Sequence, residues 1–521
     1  MEKYNFTMQH LYGEDHQHIT KILNILQATN IEESFIRKIY ASTPMLNPSE
    51  EEYKLYAELA KNAFNFFMDR NPLKSKVKIY QVSNKNIISD HTVIEIVSDE
   101  SPFLFDSTIC LLKRMNVDIE RVAHPNIFVR RDKKGDLLHI DEDLQKNGKK
   151  ELFIQIRTEP SLDKVTIQKI EEELEEVIAL VKVAVDDWKN IVQELQSYIN
   201  KFHSYTSFID KDYQEQQEFL EKIKENYFVF LGSVQCDVKE HEVSFVEDTS
   251  LGILKPQLDQ FIPLFNRNVF SESFFRNKIN FISIGKLGKT SVIHREANLD
   301  YLCFKELDSK GQLVKFRLFV GLFTSILYYQ SATLIPIIRG KLKYILDKSG
   351  FAHDSYAGKE LISIVESLPR DELFQNPAEF LFPILMEIYA LLFHPELRLF
   401  LRKQGETTSC LLFLPLELAN VSNIKKLKSA LSFEYGPIVD YHFKQINNSR
   451  LCYYHFIIDS KLAKGSFSDI DRVEQELKSI TRPWDDNLYD LLLKEYGKNK
   501  GRDLFYRFHQ AFPVAYKEAN I

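Results

Sequence analysis

The stretch His91–Arg131, HTVIEIVSDESPFLFDSTICLLKRMNVDIERVAHPNIFVRR, decides the fold. From Thr92 to Val97 it places Ile94 and Ile96 on one face, the two-residue period of a half-buried strand. Ser98 to Glu100 predict a turn, after which Ser101 is expected to cap a helix and Pro102 to take its first position, where a missing N–H costs nothing. That helix carries Phe103, Leu104, Phe105, Ile109, Leu111, Leu112 and Met115, apolar round most of its circumference, so it is expected against a sheet. Asn116 to Asp118 end it. Ile119 to Val129 and Glu151 to Arg157 predict two more strands, and in the second Leu152, Ile154 and Ile156 alternate with Phe153, Gln155 and Arg157. Strand, helix, strand, strand, helix is the order of a split βαβ unit of the ferredoxin-like type, with helices on one face of a mostly antiparallel sheet. The expected class is multidomain α+β. Such a scaffold serves sensing, dimerisation and catalysis alike and names no function.

Composition narrows the function. A chain of 521 residues is too long for one core and predicts about three or four domains. A net charge of −7 argues against coating nucleic acid or an anionic membrane. No run approaches about 18 apolar residues, and the opening MEKYNFTMQH lacks an apolar signal core, so a cytoplasmic location is expected. Five scattered cysteines, Cys110, Cys236, Cys303, Cys410 and Cys452, form no CxxC pair and predict buried thiols. There are 17 glycines, about half the usual share, and no GxGxxG. The nearest approach to a phosphate loop is Gly285–Thr290, GKLGKT, whose glycines stand too close together; it predicts a turn.

Along the chain, residues 1–72 are expected to be helical, with Tyr53, Tyr56, Leu59, Ala60, Phe64 and Phe67 at helical spacing. His10, His16 and His18 lie close together without a second ligand cluster, which predicts a polar loop and no metal. The first βαββ unit occupies 76–200 and closes with one helix from Ser161 to about Ile199, roughly 55 Å long if continuous. Its stripe of Ile167, Ile170, Leu174, Val177, Val181, Val185, Trp188, Val192 and Leu195 suits packing on its own domain or, given its length, a seam between domains or subunits. A β-rich segment follows over 215–330, with strands at Tyr227–Cys236, Val243–Glu247, Phe281–Ile284, Val292–His294, Leu299–Leu307 and Leu313–Phe323. A helical connection covers 331–393. Residues 394–485 predict a second βαββα unit, and 486–521 a helical end.

A family resemblance rests on several runs taken in order. They are SDESPFLFDS at 98–107, AHPNIFVRRDKKGDL at 123–137, DDW at 186–188, NYFVFLG at 226–232, VIHREANLDYLCFKELD at 292–308 and GLFTS at 321–325. GKELISIVESLPRDELFQ at 358–375, SCLLFLP at 409–415 and AFPVAYKE at 511–518 complete the series. Together they resemble the N-terminal region of the large bacterial NAD-specific glutamate dehydrogenases, almost from end to end. The resemblance implies ACT-like domains at 76–200 and 394–485, with a PAS-like segment between them. It also implies that the glutamate and NAD sites belong to a catalytic portion further along, which this chain is expected to lack. The chain would then be a regulatory and assembly part, inactive alone, of an enzyme that converts glutamate to 2-oxoglutarate and ammonia with NAD as cofactor. No cofactor is expected on the chain itself. Expected partners are the catalytic portion, a further copy of the chain in a homo-oligomer, and an amino-acid effector. A cut chain would also expose apolar surface and tend to self-associate. The alternative is a free-standing ACT/PAS-type amino-acid sensor that signals through a partner protein.

Candidate sites follow. ACT domains hold amino acids at the first strand-to-helix loop, often beside a glycine, and here that loop is Asp99, Glu100, Ser101, Pro102 and Phe103. An effector ammonium could meet Asp99 or Asp106, and the helix start could take its carboxylate. The structural alternative is that Ser101 caps, Asp106 pairs locally and Phe103 packs. In LPRDELFQ, Pro369 breaks a helix and Asp371 is expected to cap the next; Arg370 and Asp371 are either domain-contact residues or a local cap and ion pair. His294, Arg295 and His124 predict structural, hydrogen-bonded groups. No nucleophile, base and orienter come together.

Overall fold

The computed structural model describes residues 17–41, 48–71, 74–82, 90–141, 148–202, 213–239, 242–270, 275, 281–404, 407–447, 449–461, 469–513 and 516–517. His10 and His16 lie outside them. Three helices come first: α1 over residues 17–26, α2 (Asn30–Tyr40) and α3 (Glu50–Met68). Thr29 with Glu32 and Ser49 with Glu52 form capping boxes, each satisfying two otherwise orphaned N–H groups at the helix start.

The first sheet contains β1 (Lys76–Val82), β2 (His91–Asp99), β3 (Ile119–Ala123), β4 (Asn126–Arg131), β5 (Leu137–Asp141) and β6 (Lys149–Thr158). Its order is β1-β2-β6-β4-β5, with β3 also on β6, and every pairing is antiparallel. Strand β2 and the β3–β4 run therefore flank β6 in parallel, joined through α4 (Leu104–Arg114): a split βαβ. The single strand expected from Ile119 to Val129 is divided at His124–Pro125. Proline has no N–H for the ladder, and Phe153 N donates to Pro125 O instead, at 3.1 Å.

The helix after the first unit is not continuous. Helix α5 (Lys164–Asp186) stops at Asp187 and α6 (Trp188–Phe202) begins. The Asp187 carboxylate turns away to accept from Gly252 N at 2.9 Å. The break has a purpose in packing: Ile170, Leu174, Val177 and Val181 of α5 lie on one face of the second sheet, and Ile191, Leu195 and Ile199 of α6 on the other. Trp188, placed by its spacing in the apolar stripe, sits at the crossing and is 48% exposed.

After α7 (Tyr213–Lys222), the second sheet is built from β7 (Phe228–Lys239), β8 (Glu242–Gly252), β9 (Ile282–Thr290), β10 (Asn298–Leu307) and β11 (Leu313–Phe323), with α8 (Leu254–Asn268) inserted after β8. Its order is β8-β7-β11-β10-β9. Two expectations fail here. GKLGKT belongs to strand β9 rather than a turn, and a Cβ on Gly285 would stand 2.7 Å from the Tyr301 ring. Val292 to His294 is a loop, with His294 at φ +69°. Gly252 is needed as glycine: its φ is +61°, and a Cβ would lie 2.1 Å from Leu231 O. Gly252→Ala is expected to destabilise by about 2–3 kcal/mol in urea unfolding, because the β7–β8 pairing would have to open.

Helices α9 (Ile338–Ser349), α10 (Tyr356–Ser367), α11 (Arg370–Gln375) and α12 (Ala378–Phe393) connect to the third sheet. That sheet has β12 (Arg398–Gln404), β13 (Thr407–Pro415), β14 (Ile438–Gln445) and β15 (Leu451–Asp459) in the order β12-β13-β15-β14, with α13 (Val421–Tyr435) and α14 (Ile470–Thr481) on one face. Edge strand, strand, helix, strand, strand, helix repeats the first unit if the β3–β4 run is taken as one strand and the added edge strand β5 is left aside. A last helical run, α15 (Trp484–Phe508), is kinked at Gly497.

The layers stack in sequence. Phe35, Phe64 and Phe67 of α2 and α3 close one face of the first sheet over Phe153. Helices α4 and α5, with α8, fill the space between first and second sheets. The far face of the second sheet and the open face of the third, through Leu411, Phe413 and Tyr453, share one core with α6, α7 and the connecting helices. Four of the five thiols, Cys236, Cys303, Cys410 and Cys452, are fully buried, and Cys110 is half-buried.

Candidate functional site

The short helix α11 joins the second sheet to the third through two adjacent acidic residues. Its N-cap position is held by Pro369, which leaves the Asp371 side chain free of capping. Asp371 instead meets Lys286 of β9 at 3.3 Å, and Tyr328 donates to its other oxygen at 3.4 Å. Lys286 also donates to Asp300 of β10 at 2.8 Å, while the second Asp300 oxygen accepts from Phe323 N at 3.0 Å. Asp300 is 1% exposed. Burial pushes its carboxyl upward, opposed by the Lys286 ammonium. Burial would lower Lys286, but Asp371 and Asp300 outweigh it and hold the ammonium well above its usual range.

One residue on, Glu372 faces the third sheet. Arg402 of β12 grips it with two parallel bonds, Nε at 2.9 Å and Nη2 at 2.7 Å, and Asn376 adds a third at 3.0 Å. Burial opposes ionisation of Glu372, yet Arg402 keeps its carboxyl below the usual range. Beside it Ser409 and His455 share a hydrogen bond of 2.9 Å, both buried. This is a packing network rather than a hydrolytic centre, because the acid is bound to arginine and the serine has no approach from solvent. Arg370 does not cross to either sheet. It bonds Glu366 at 2.7 Å and Gln330 O at 3.1 Å within the connection.

His455 gives the junction a pH dependence. Burial lowers its imidazole below 6.5, offset in part by Glu372 and Asp371, while His442 and Arg402 add to the lowering. A depressed folded value means that stability is intact above the unfolded value and is lost as pH falls through the folded one. His455→Gln is therefore expected to flatten the loss of thermal stability on acidification below about pH 6.5, measured by circular dichroism.

The turn after β2 takes a different form from the expected cap. Helix α4 begins at Leu104, with Phe103 at the N-cap position in the left-handed region (φ 70°) and no side-chain cap; the Ser101 hydroxyl points to Pro102 O. Pro102 therefore lies in the turn before the helix and not at its first position. Asp99 is bound by Arg70 and Lys149, each at 2.7 Å; burial works against its ionisation, but these cations hold the carboxyl low. Arg70 and Arg131 also bracket the buried Glu151. Asp106 does not pair locally: it reaches His294 in the second sheet's loop at 3.2 Å. His294 N donates to Ser107 Oγ at 2.9 Å, and its ring lies 5.0 Å from that of Phe103. Arg295 donates to Phe323 O, and His124 stacks on Phe105. Phe103, Asp106 and His294 thus form a contact between first and second sheets. Among the described residues, His91, Glu120 and Glu159 bring possible metal-ligand atoms within 4.8 Å, but Glu120 is also held by Arg157 at 2.6 Å.

Sequence reasoning found Asp371 but missed Lys286, Asp300, Glu372, Arg402 and His455. A lysine and an aspartate inside apolar strands, FISIGKLG and NLDYLCF, were the available signal, since a charge on a buried strand needs a partner.

These features define a multi-unit α+β scaffold: two units of related topology flank a five-stranded sheet, the later one tied to it through buried ion pairs at α11 and the first through the more exposed Asp106–His294 contact. A family model described as "Glutamate dehydrogenase, ACT1 domain" matches residues 35–174, and "Glutamate dehydrogenase, helical motif 1" matches 335–392. Proteins named NAD-specific glutamate dehydrogenase are 26% identical over 503 residues in Halomonas elongata and 28% over 460 in Pseudomonas aeruginosa. These alignments cover 93% and 82% of this chain, and 31% and 27% of those proteins. The Mycobacterium tuberculosis protein of that name is 21% identical over 444 residues, 82% of this chain and 26% of its own length. The chain is thus similar to large NAD-specific glutamate dehydrogenases along nearly its whole length. It spans about a third of the length of the relatives it matches. Among its described residues no helix is long and apolar enough to cross a membrane.

Proposed function

We propose that this chain is the regulatory and assembly part of a large NAD-dependent glutamate dehydrogenase, which oxidatively deaminates L-glutamate to 2-oxoglutarate and ammonia when the catalytic portion is joined to it. The observation that carries this reading is the near end-to-end alignment with enzymes of that name, over a segment whose sequence contains no GxGxxG. The repeated split βαβ topology supports two ACT-like domains, at 76–200 and 394–485. The strand order β8-β7-β11-β10-β9 supports a PAS-like segment at 215–330. The division is completed by a helical segment at 1–72, a connection at 331–393 and a helical end at 486–521. The ion pairs through Asp371 and Glu372 give such a part its use: they set the spacing of the second and third sheets, and so the surface offered to a catalytic portion or a second copy. The setting is the cytoplasm, and NAD acts on the whole enzyme. An amino-acid effector at Asp99, Ser101, Pro102, Phe103 and Asp106 would have to displace the ion pairs of Asp99 and Asp106. NADH fluorescence titrated against the purified chain tests the reading. No saturable binding is expected, and saturable binding competed by NAD would overturn it.

A further inference from the structure

The face of the first sheet turned towards α2 and α3 carries a polar stripe where an apolar one would be ordinary. Arg121 of β3 and Arg157 of β6 stand directly opposite one another in register, an arrangement in which like charges repel. Both guanidiniums lie over the ring of Tyr56, at 5.0 and 5.4 Å from its centre. Arg157 is only 6% exposed. Its Nε and Nη2 are held by Glu120, but Nη1 is buried without an acceptor. The two arginines, with Tyr40, Tyr56, Leu59 and Gln155, line a cavity of about 20 Å3. That is room for one water molecule or one ion of similar size.

Of the other polar groups of the lining, Tyr40 and Gln155 are engaged elsewhere, while the Tyr56 side chain lies against Arg157. Tyr40 donates to Tyr56 O at 2.8 Å, and Gln155 donates to Glu95 at 2.9 Å. Burial pushes the Glu95 carboxyl upward, towards its neutral form, and the ionised carboxylate that faces both arginines is Glu52 at the start of α3. A buried guanidinium N–H without an acceptor is costly, and two converging guanidiniums favour a negative guest over a neutral one.

We infer that this cavity is a site for a single small monovalent anion of the size of chloride, held between Arg121 and Arg157 under Tyr56. The anion accepts from Arg157 Nη1 and lowers the repulsion between the paired arginines. Because Tyr40 and Tyr56 come from α2 and α3, its binding also fastens the N-terminal helices to the first sheet. This goes beyond the dehydrogenase reading and does not depend on it.

The test uses the whole chain. Thermal unfolding is followed while sodium chloride replaces sodium gluconate at constant ionic strength, gluconate being too large for the cavity. A saturable rise in Tm with chloride is expected, with apparent affinity weakened tenfold or more in Arg121→Gln. Crystals soaked in bromide give a second reading on the wild-type chain, independent of whether the variant folds: an anomalous peak between Arg121 and Arg157 is expected. Superimposable chloride and gluconate curves, or bromide found elsewhere or not at all, would overturn the inference and leave the cavity to a water molecule.

Discussion

Replacing Lys286 by alanine is expected to cost roughly 3–5 kcal/mol of stability, the largest effect of any single change at the junction. The ammonium lies between Asp300 and Asp371, 2.8 and 3.3 Å away, and Asp300 is buried almost completely. Without it Asp300 keeps one hydrogen bond, from Phe323 N, and its charge remains in an apolar sheet facing a second carboxylate. The sign of the pH dependence follows. Asp300 already has a folded value raised above 3.8 by burial, and removing Lys286 takes away the main opposing influence. A raised carboxyl contributes stability that is present below the unfolded value and lost as pH rises through the folded one. The deficit of Lys286→Ala should therefore be smaller near about pH 5 than near about pH 8. Urea unfolding at both pH values measures this. Equal deficits would mean that Asp300 is not the group left exposed to the loss.

The second large effect is expected from Arg402→Ala, about 3 kcal/mol, and it should be local to the third sheet. Glu372 would keep Asn376 as a partner but lose both guanidinium bonds while remaining buried. Because Arg402 lies on β12 and Glu372 on the connecting helices, the loss falls on the docking of the two. Hydrogen exchange should accelerate in β12, β13 and β15, with β7 and β11 of the second sheet unchanged. Acceleration spread evenly over all three sheets would show that the pair holds no particular boundary. The comparison is better made by local exchange than by one global unfolding free energy, since a chain of several units need not unfold in a single step.

The fold was largely legible where periodicity was clean. Ile94 and Ile96, the apolar helix after them, and the alternation from Leu152 to Arg157 placed β2, α4 and β6, and the second βαββα order could be recovered despite little shared sequence. What escaped was set by tertiary contact. Nothing in the unbroken stripe from Ile167 to Leu195 announces a break at Asp187, because the break exists to carry the chain round the edge of a sheet 65 residues further on. The cap expected at Ser101 failed because the turn is shaped by Phe103 packing against His294, 191 positions away in sequence. Asp371 and Glu372 were both visible as charges interrupting an apolar helical pattern, but nothing nearby in sequence marked Glu372 as buried. Its burial depends on Arg402 arriving from another unit.

The central claim is that this chain acts as a non-catalytic part of a glutamate dehydrogenase. Its most direct test is glutamate-dependent NADH formation, followed by absorbance, with the purified chain alone and with the protein encoded by whatever coding sequence continues it. The account predicts no activity from the chain alone, and activity of the combination above that of the continuing part by itself. NAD reduction by the isolated chain, or a continuing part whose activity the chain leaves unchanged, would contradict it.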